Sequence, residues 1–191
     1  MGNKSDHKRN AIIKAAMELI AERGFHQSPT SLISKRAGVG IGTIYRYFKN
    51  KDVLIEEVFN TIWKENLSVA ALKNVIEKAP LREQFIRMNK AILTHFIQNP
   101  YECKFLEQYF NSPYGLKKVR SEGFGDDDPA QVILKLAKEQ QIVKDLPVDL
   151  LALISYAPIP FLARDHVGGF ITLNEDMIHS IAIACWDAIK I

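Results

Sequence analysis

The stretch Gly40-Ile41-Gly42-Thr43-Ile44-Tyr45-Arg46-Tyr47-Phe48-Lys49-Asn50-Lys51-Asp52 decides how the chain is read. Ile44 and Phe48 stand four residues apart, which predicts one buried seam on a short helix. Tyr45, Arg46 and Tyr47 then fall mostly on its outer faces. Just upstream, Pro29 to Ala37 reads as a second short helix, and Gly38-Val39-Gly40 as the turn between them. Two short helices joined by a tight glycine-containing turn form a helix-turn-helix pattern. The second helix of such a unit enters the major groove with its N-terminal residues facing base edges. Gly42 permits a close backbone approach, and Thr43 offers a hydroxyl and a methyl to a base edge or a phosphate. Tyrosine hydroxyls and lysine ammoniums suit phosphate oxygens. Lys51 opens a long helix whose free N–H groups also attract anions. Thr30 and Lys35, near the ends of the preceding helix, present similar donors. Asn50 predicts an N-cap for the long helix, and Asp52 in its first turn complements the helix dipole.

The charge distribution points the same way. Residues 1–50 carry nine Lys/Arg and three Asp/Glu, a balance of +6; residues 51–191 carry sixteen and nineteen, a balance of −3. A basic segment on an acidic body suits a polyanionic partner, and equally a solvated basic surface with no partner. The chain of 191 residues is long enough to bury a sizeable core without disulfides or metal. Cys103 and Cys185 lie in apolar helical patterns and are expected to be buried thiols. Met1 to Asn10 is polar and charged, which predicts no signal peptide, and no run approaches a bilayer span. A cytoplasmic protein with no membrane segment is expected.

Beyond this segment nearly every periodic stretch has helical spacing. A first helix is expected from about Lys8 to Arg23, with Ile12, Ala15, Ala16, Leu19 and Ile20 on one face and Gly24 at its end. Ser28-Pro29, Asn99-Pro100, Ser112-Pro113 and Asp128-Pro129 each read as a capping residue followed by proline at the first helical position. The helix from Lys51 is expected to extend toward Lys78. Leu81 to Gln98 carries a stripe of Phe85, Met88, Ile92 and Phe96. Pro147 opens an apolar stretch to about His166, interrupted by Pro158 and Pro160. Thr172 and Glu175 have capping-box spacing before a last helix, Leu173 to Lys190. Gly123 to Asp127 reads as a loop.

Together, Ala21-Glu22-Arg23-Gly24-Phe25, Ile33 to Val39 and Gly42 to Leu54 closely resemble the DNA-binding domain of the TetR family of repressors. The family string runs glycine, threonine, apolar, aromatic, any residue, aromatic or histidine, phenylalanine; Gly42 to Phe48 supplies it. The resemblance implies an all-α fold. A three-helix helix-turn-helix domain, residues 1–50, would be followed by a larger helical effector-binding and dimerisation domain, residues 51–191. It places phosphate contacts on Thr30, Tyr45, Tyr47 and Lys51. It places base contacts around Gly40, Ile41, Gly42, Thr43 and Arg46. Gly40 departs from the serine many members carry, which removes a hydroxyl contact, and Ile41 is apolar where polar residues are common.

The larger segment gives weaker signals. Trp63, Phe85, Met88, Phe105, Tyr109, Tyr156 and Phe161 are candidates to line an apolar effector pocket, and each also suits plain core. Tyr109 and Tyr156 stand out because a buried hydroxyl needs a partner. The last helix and the stretch before it are rich in small and apolar residues, which by composition reads only as buried helices; the resemblance implies a homodimer through the last two helices, which a palindromic DNA operator would match. His7, His26, His95, His166 and His179 show no metal spacing and no paired nucleophile, so no catalytic site, metal or cofactor is expected. Asp126-Asp127-Asp128 reads as an acidic loop capping the next helix. The expected function is a ligand-responsive transcriptional repressor released by a small, largely apolar effector. The alternatives are a helical enzyme or carrier, or a protein-interaction adaptor, whose N-terminal unit does not bind DNA.

Overall fold

The computed structural model describes residues 4–68, 79–118 and 128–191. Among these residues there are eleven α-helices and one π-helical stretch. They are α1 (Lys4–Arg23), α2 (Thr30–Arg36), α3 (Ile41–Tyr47), α4 (Lys51–Asn60), α5 (Leu81–Gln98), α6 (Pro100–Phe110), α7 (Pro113–Lys117), α8 (Pro129–Glu139), α9 (Val148–Tyr156), α10 (Pro158–Val167) and α11 (Glu175–Ile189). The π-helical stretch, Thr61–Leu67, continues α4. The only β pairing among the described residues is an isolated bridge between Val143 and Lys190. The all-α reading is therefore correct. The expected continuation of α4 to Lys78, the Gly123–Asp127 loop, and Asp126 and Asp127 lie outside the described residues.

The contacts divide the chain into two compact units. One comprises Met1–Glu65 with Tyr101–Leu116; the other comprises Asn66–Pro100 with Lys117–Ile191. In this grouping α4 packs on α1, and residues 101–116 fall with the helix-turn-helix.

In the first unit α1 packs against α2, α3 and α4, and α2 against α3. Ile12, Ala16, Leu19 and Ile20 of α1 meet Ile33, Ile44, Phe48, Leu54 and Val58 in a buried core. Ile44 and Phe48 are 1% and 2% exposed, so the seam expected from their spacing is real. Gly24, with φ +75°, and Gly38, with φ +64°, occupy left-handed positions that a Cβ disfavours. They end α1 and turn the chain between α2 and α3.

In the second unit α5 packs against α8, α10 and α11, and α9 packs against α8, α10 and α11. The stripe of Phe85, Met88, Ile92 and Phe96 is buried as expected. The interruption expected at Pro158 and Pro160 is an end of one helix and the start of the next. Pro158 starts α10 directly after the Ala157 that ends α9.

Three of the four expected cap–proline pairs work differently from the reading. Only Asp128 caps forward, its carboxylate accepting from Ala130 N at 3.1 Å and Gln131 N at 3.2 Å. Ser28 Oγ donates back to Gly24 O, Asn99 Nδ2 to His95 O and Ser112 Oγ to Tyr109 O, at 2.8, 2.9 and 2.6 Å. In these short connections the carbonyls orphaned at the preceding helix end capture the donors first. Pro29 consequently stands as the N-cap of α2, which begins at Thr30. The last helix likewise starts at Glu175, capped by Asn174 accepting from Met177 N at 2.9 Å, and not by Thr172.

Candidate nucleic-acid interface

The core side of α3 is fixed by Ile44 and Phe48, so its opposite side is presented outward. Gly40, Ile41, Gly42, Tyr45 and Arg46 are exposed, and Thr43 and Tyr47 are half-buried. Ile41 and Tyr45 are 47% and 52% exposed, so an apolar and an aromatic side chain stand on this outward face. Gly40 is the N-cap of α3 with no side-chain hydrogen bond. The hydroxyl missing there leaves the first N–H groups of α3 without a side-chain cap. Nothing lies within 4 Å of a Cβ built on Gly42, so the interior of the unit does not require glycine at this position.

The polar side chains at this surface are organised before any partner arrives. Tyr45 OH and Thr30 Oγ1 lie 3.2 Å apart and link α3 to the start of α2. Arg46 Nη2 donates to Tyr47 OH at 3.1 Å, and its guanidinium sits 5.1 Å from the Tyr47 ring centroid. Lys35 is exposed in the last turn of α2. Lys51 is half-buried at the start of α4, where its ammonium donates to the Phe25 carbonyl. Desolvation there lowers its pKa from the ordinary value, against a smaller opposing effect of Asp52. Asn50 accepts from Val53 N at 2.9 Å and caps α4 as its position in the sequence predicts.

Not every basic residue of residues 1–50 is available to a polyanion. Arg36 makes a two-pronged pair with Glu22, at 2.9 and 2.8 Å, and Arg9 pairs with Glu57. The Arg36 hydrogen bond holds the Glu22 carboxyl below the usual carboxylate range. These two arginines tie the helices of the unit together, which the charge count could not reveal. What remains outward is a compact surface of hydroxyls, exposed lysine and arginine, and a helix N-terminus. Such a surface can donate to phosphate oxygens and reach base edges.

The family model for bacterial regulatory proteins of the tetR family matches residues 12–58, and the tetracyclin repressor-like C-terminal domain matches residues 80–190. The chain belongs to the TetR family. An HTH-type transcriptional regulator of Haemophilus influenzae is 29% identical over 186 residues, covering 94% of each chain. The crystal structure of a TetR-family transcriptional regulator from Haemophilus influenzae superposes with a TM-score of 0.83 at 27% identity, covering 100% of both chains. The fatty acid metabolism regulator protein of Bacillus subtilis is 45% identical over 76 residues, 38% of this chain and 37% of that one. This TetR-family chain is therefore a helix-turn-helix transcriptional regulator and not an enzyme. Among its described residues no helix is long and apolar enough to cross a membrane.

The residues expected to line an effector pocket separate into two groups. Trp63, Phe105 and Tyr109 belong to the first unit, in one aromatic cluster with Phe25, Phe59 and Tyr114. Phe59 stacks on Tyr109 at 4.4 Å and on Trp63 at 5.7 Å, and Phe25 meets Phe105 at 6.2 Å and Tyr114 at 5.2 Å. Phe85, Met88 and Tyr156 belong to the second unit, where Phe85 and Met88 are fully buried and the Phe85 and Tyr156 rings are 5.5 Å apart. Phe161 does not join either interior: it is 53% exposed and lies under the Arg164 guanidinium. The hydrogen bond from the Tyr114 hydroxyl to Asp52 was not legible in the sequence, because nothing local links positions so far apart.

Proposed function

We propose that this regulator is a ligand-responsive repressor that binds a palindromic operator as a homodimer and is released by a small, largely apolar effector. The outward face of α3 is the observation that carries the reading. Its exposed and preordered side chains sit on a helix whose other face is locked by Ile44 and Phe48. Thr30, Lys35, Tyr45, Tyr47 and Lys51 donate to phosphates and set the register of the helix in the major groove. Gly40, Ile41, Gly42, Thr43 and Arg46 face the bases, with Ile41 suited to a thymine methyl. In this reading residues 1–50, joined by Lys51 at the start of α4, bind DNA, and the rest of residues 51–191 holds the effector and the dimer contact.

Exposed apolar side chains toward the C-terminus support a homodimer through the last helix and the stretch before it. Leu153 on α9, Phe161 on α10 and Met177 on α11 are 63%, 53% and 49% exposed. A two-fold contact of this kind matches two half-sites about one DNA turn apart. An effector that prefers the dimer geometry with mismatched half-site spacing lowers operator affinity, and the operator lowers effector affinity by the same factor. A helical enzyme or carrier, or an adaptor, finds no support in the family to which the chain belongs. The location expected for such a regulator is the cytoplasm.

Fluorescence anisotropy with the duplex upstream of its own gene tests this reading. The expected result is two chains per duplex, with affinity falling by roughly 10³-fold or more between about 50 and 200 mM salt. Binding that is indifferent to salt, or one chain per duplex, overturns it.

A further inference from the structure

The interior of the second unit contains polar groups that the fold itself does not satisfy. Asn89, on the buried face of α5, is 2% exposed, yet neither its Oδ1 nor its Nδ2 has a hydrogen-bond partner. The Tyr156 hydroxyl at the end of α9 is also enclosed and without a partner. Tyr156 is half-buried as a residue, but its oxygen does not reach solvent. An isolated buried donor or acceptor is unfavourable, so groups of this kind mark a place where something else supplies the bond.

Both groups are placed relative to Phe85, one by helix spacing and one by ring contact. Asn89 follows Phe85 by four residues on α5, so the two side chains lie one helical turn apart on the same face. The Phe85 ring is 5.5 Å from Tyr156 and 5.2 Å from Trp186 of α11. Burial holds the Tyr156 hydroxyl protonated far above its ordinary range, and the nearby Asp128 and Cys185 reinforce this. No Lys, Arg or His is buried among the described residues; the buried acidic groups are Glu102 and Asp128. A carboxylate or phosphate entering here would lose its water and gain no buried cation.

We propose that Asn89 and Tyr156 are the polar anchors of the effector site, and that they select a neutral ligand. The ligand carries a carbonyl oxygen and its own N–H or O–H on an apolar body. A primary amide is the simplest member of this class. Asn89 Oδ1 accepts from the ligand, Asn89 Nδ2 and the Tyr156 hydroxyl donate to it, and Phe85 and Trp186 pack its apolar part. This assignment rests on the effector-responsive reading above and makes it specific: among the described residues no buried cation stands ready for an anionic effector.

The test uses the full-length chain and two probes of equal apolar length, octanamide and octanoate. Trp63→Phe leaves Trp186 as the sole tryptophan reporter, and thermal unfolding of the unaltered chain is followed in parallel. Octanamide is expected to shift Trp186 emission and raise the midpoint, with octanoate at least about tenfold weaker. Asn89→Leu and Tyr156→Phe are each expected to weaken octanamide about tenfold while raising the thermal midpoint of the ligand-free protein. Equal binding of octanoate overturns the proposal. So does silence of octanamide, or a fall in midpoint for both variants with unchanged octanamide affinity, the signature of a structural water. Operator anisotropy separates this proposal from the reading on which it rests. Octanamide binding without operator release keeps the site and sinks the effector response, whereas intact operator binding with silent octanamide sinks the site alone.

Discussion

The Tyr114 hydroxyl donates to Asp52 Oδ1 at 2.6 Å, joining positions 62 residues apart within the first compact unit. Asp52 lies in the first turn of α4, next to the Lys51 that bonds the Phe25 carbonyl. The Phe25 ring in turn packs on Tyr114 at 5.2 Å. The start of α4, the turn after α1 and the short helix α7 thus meet at one junction, which includes Lys51, one of the residues proposed to hold phosphate.

Replacing Tyr114 by Phe keeps the ring contacts and removes this bond. A loss of about 1 kcal/mol in unfolding free energy is expected near neutral pH. Burial, then the bond to Asp52, raises the Tyr114 pKa to about 12 from an ordinary 10.0. The folded state therefore keeps a proton that the unfolded chain gives up. The stabilisation is fully present below pH 10 and is lost as pH rises from 10 toward about 12. Because much of the side chain meets solvent, the pH-dependent part is about 1 kcal/mol or less. Urea titrations on either side of this window should show a steeper alkaline decline in the parent chain than in Tyr114→Phe.

Gly115 is required by contact. A Cβ there would lie 2.5 Å from both Phe110 Cα and Tyr109 O, which are backbone atoms that cannot swing aside. Gly115→Ala is expected to cost about 1–3 kcal/mol, and to disturb the Tyr114–Asp52 junction as well. Gly38→Ala meets nothing within 4 Å and is strained only by φ +64°, so about 1 kcal/mol is expected for it. Denaturant midpoints of the two variants make the comparison.

Gly42 separates stability from function. It is helical and its Cβ position is open, so Gly42→Ala should stabilise the protein by roughly 0.5–1 kcal/mol. The same methyl occupies the surface proposed to meet DNA and should weaken operator binding. Unchanged affinity in an anisotropy titration would remove Gly42 from the interface.

The Arg36–Glu22 pair is exposed despite its geometry. Arg36→Ala is expected to lower stability by less than about 1 kcal/mol, less still at high salt, because solvent and ions screen such pairs. It should leave the preferred DNA sequence unchanged, in contrast to Arg46→Ala. Melting curves at two salt concentrations, with binding to matched duplexes, check both parts.

Local chemistry explains what could be read in the sequence. Leu81 to Gln98 was legible in full because Pro80 and Asn99-Pro100 bound it and its buried stripe has helical spacing. The α3 seam was legible because Ile44 and Phe48 lie within one turn of each other. The start of α2 was missed by one residue because Ser28 is held by Gly24 O, and a sequence does not say which of two neighbours wins a hydroxyl. The π-helical turn at Thr61–Leu67 was invisible because seven residues are too few for its period to depart clearly from that of an α-helix. The grouping of Phe105 and Tyr109 with Phe25 and Phe59 depends on contacts between distant segments, which periodicity does not carry. Asn89 was missed for a related reason. On an apolar helical face one amide reads as an interruption until its lack of partners is seen.

Selection of bound duplexes from a randomised pool, sequenced for the parent chain and for Thr43→Ala and Arg46→Ala, tests the central claim most directly. The predicted result is a two-fold symmetric consensus for the parent, with half-sites about 10 base pairs apart centre to centre. In each variant the preference should relax at particular positions of the half-site. A pool that shows no enriched sequence with the parent chain, or one consensus shared unchanged by all three proteins, would contradict the assignment of sequence reading to α3.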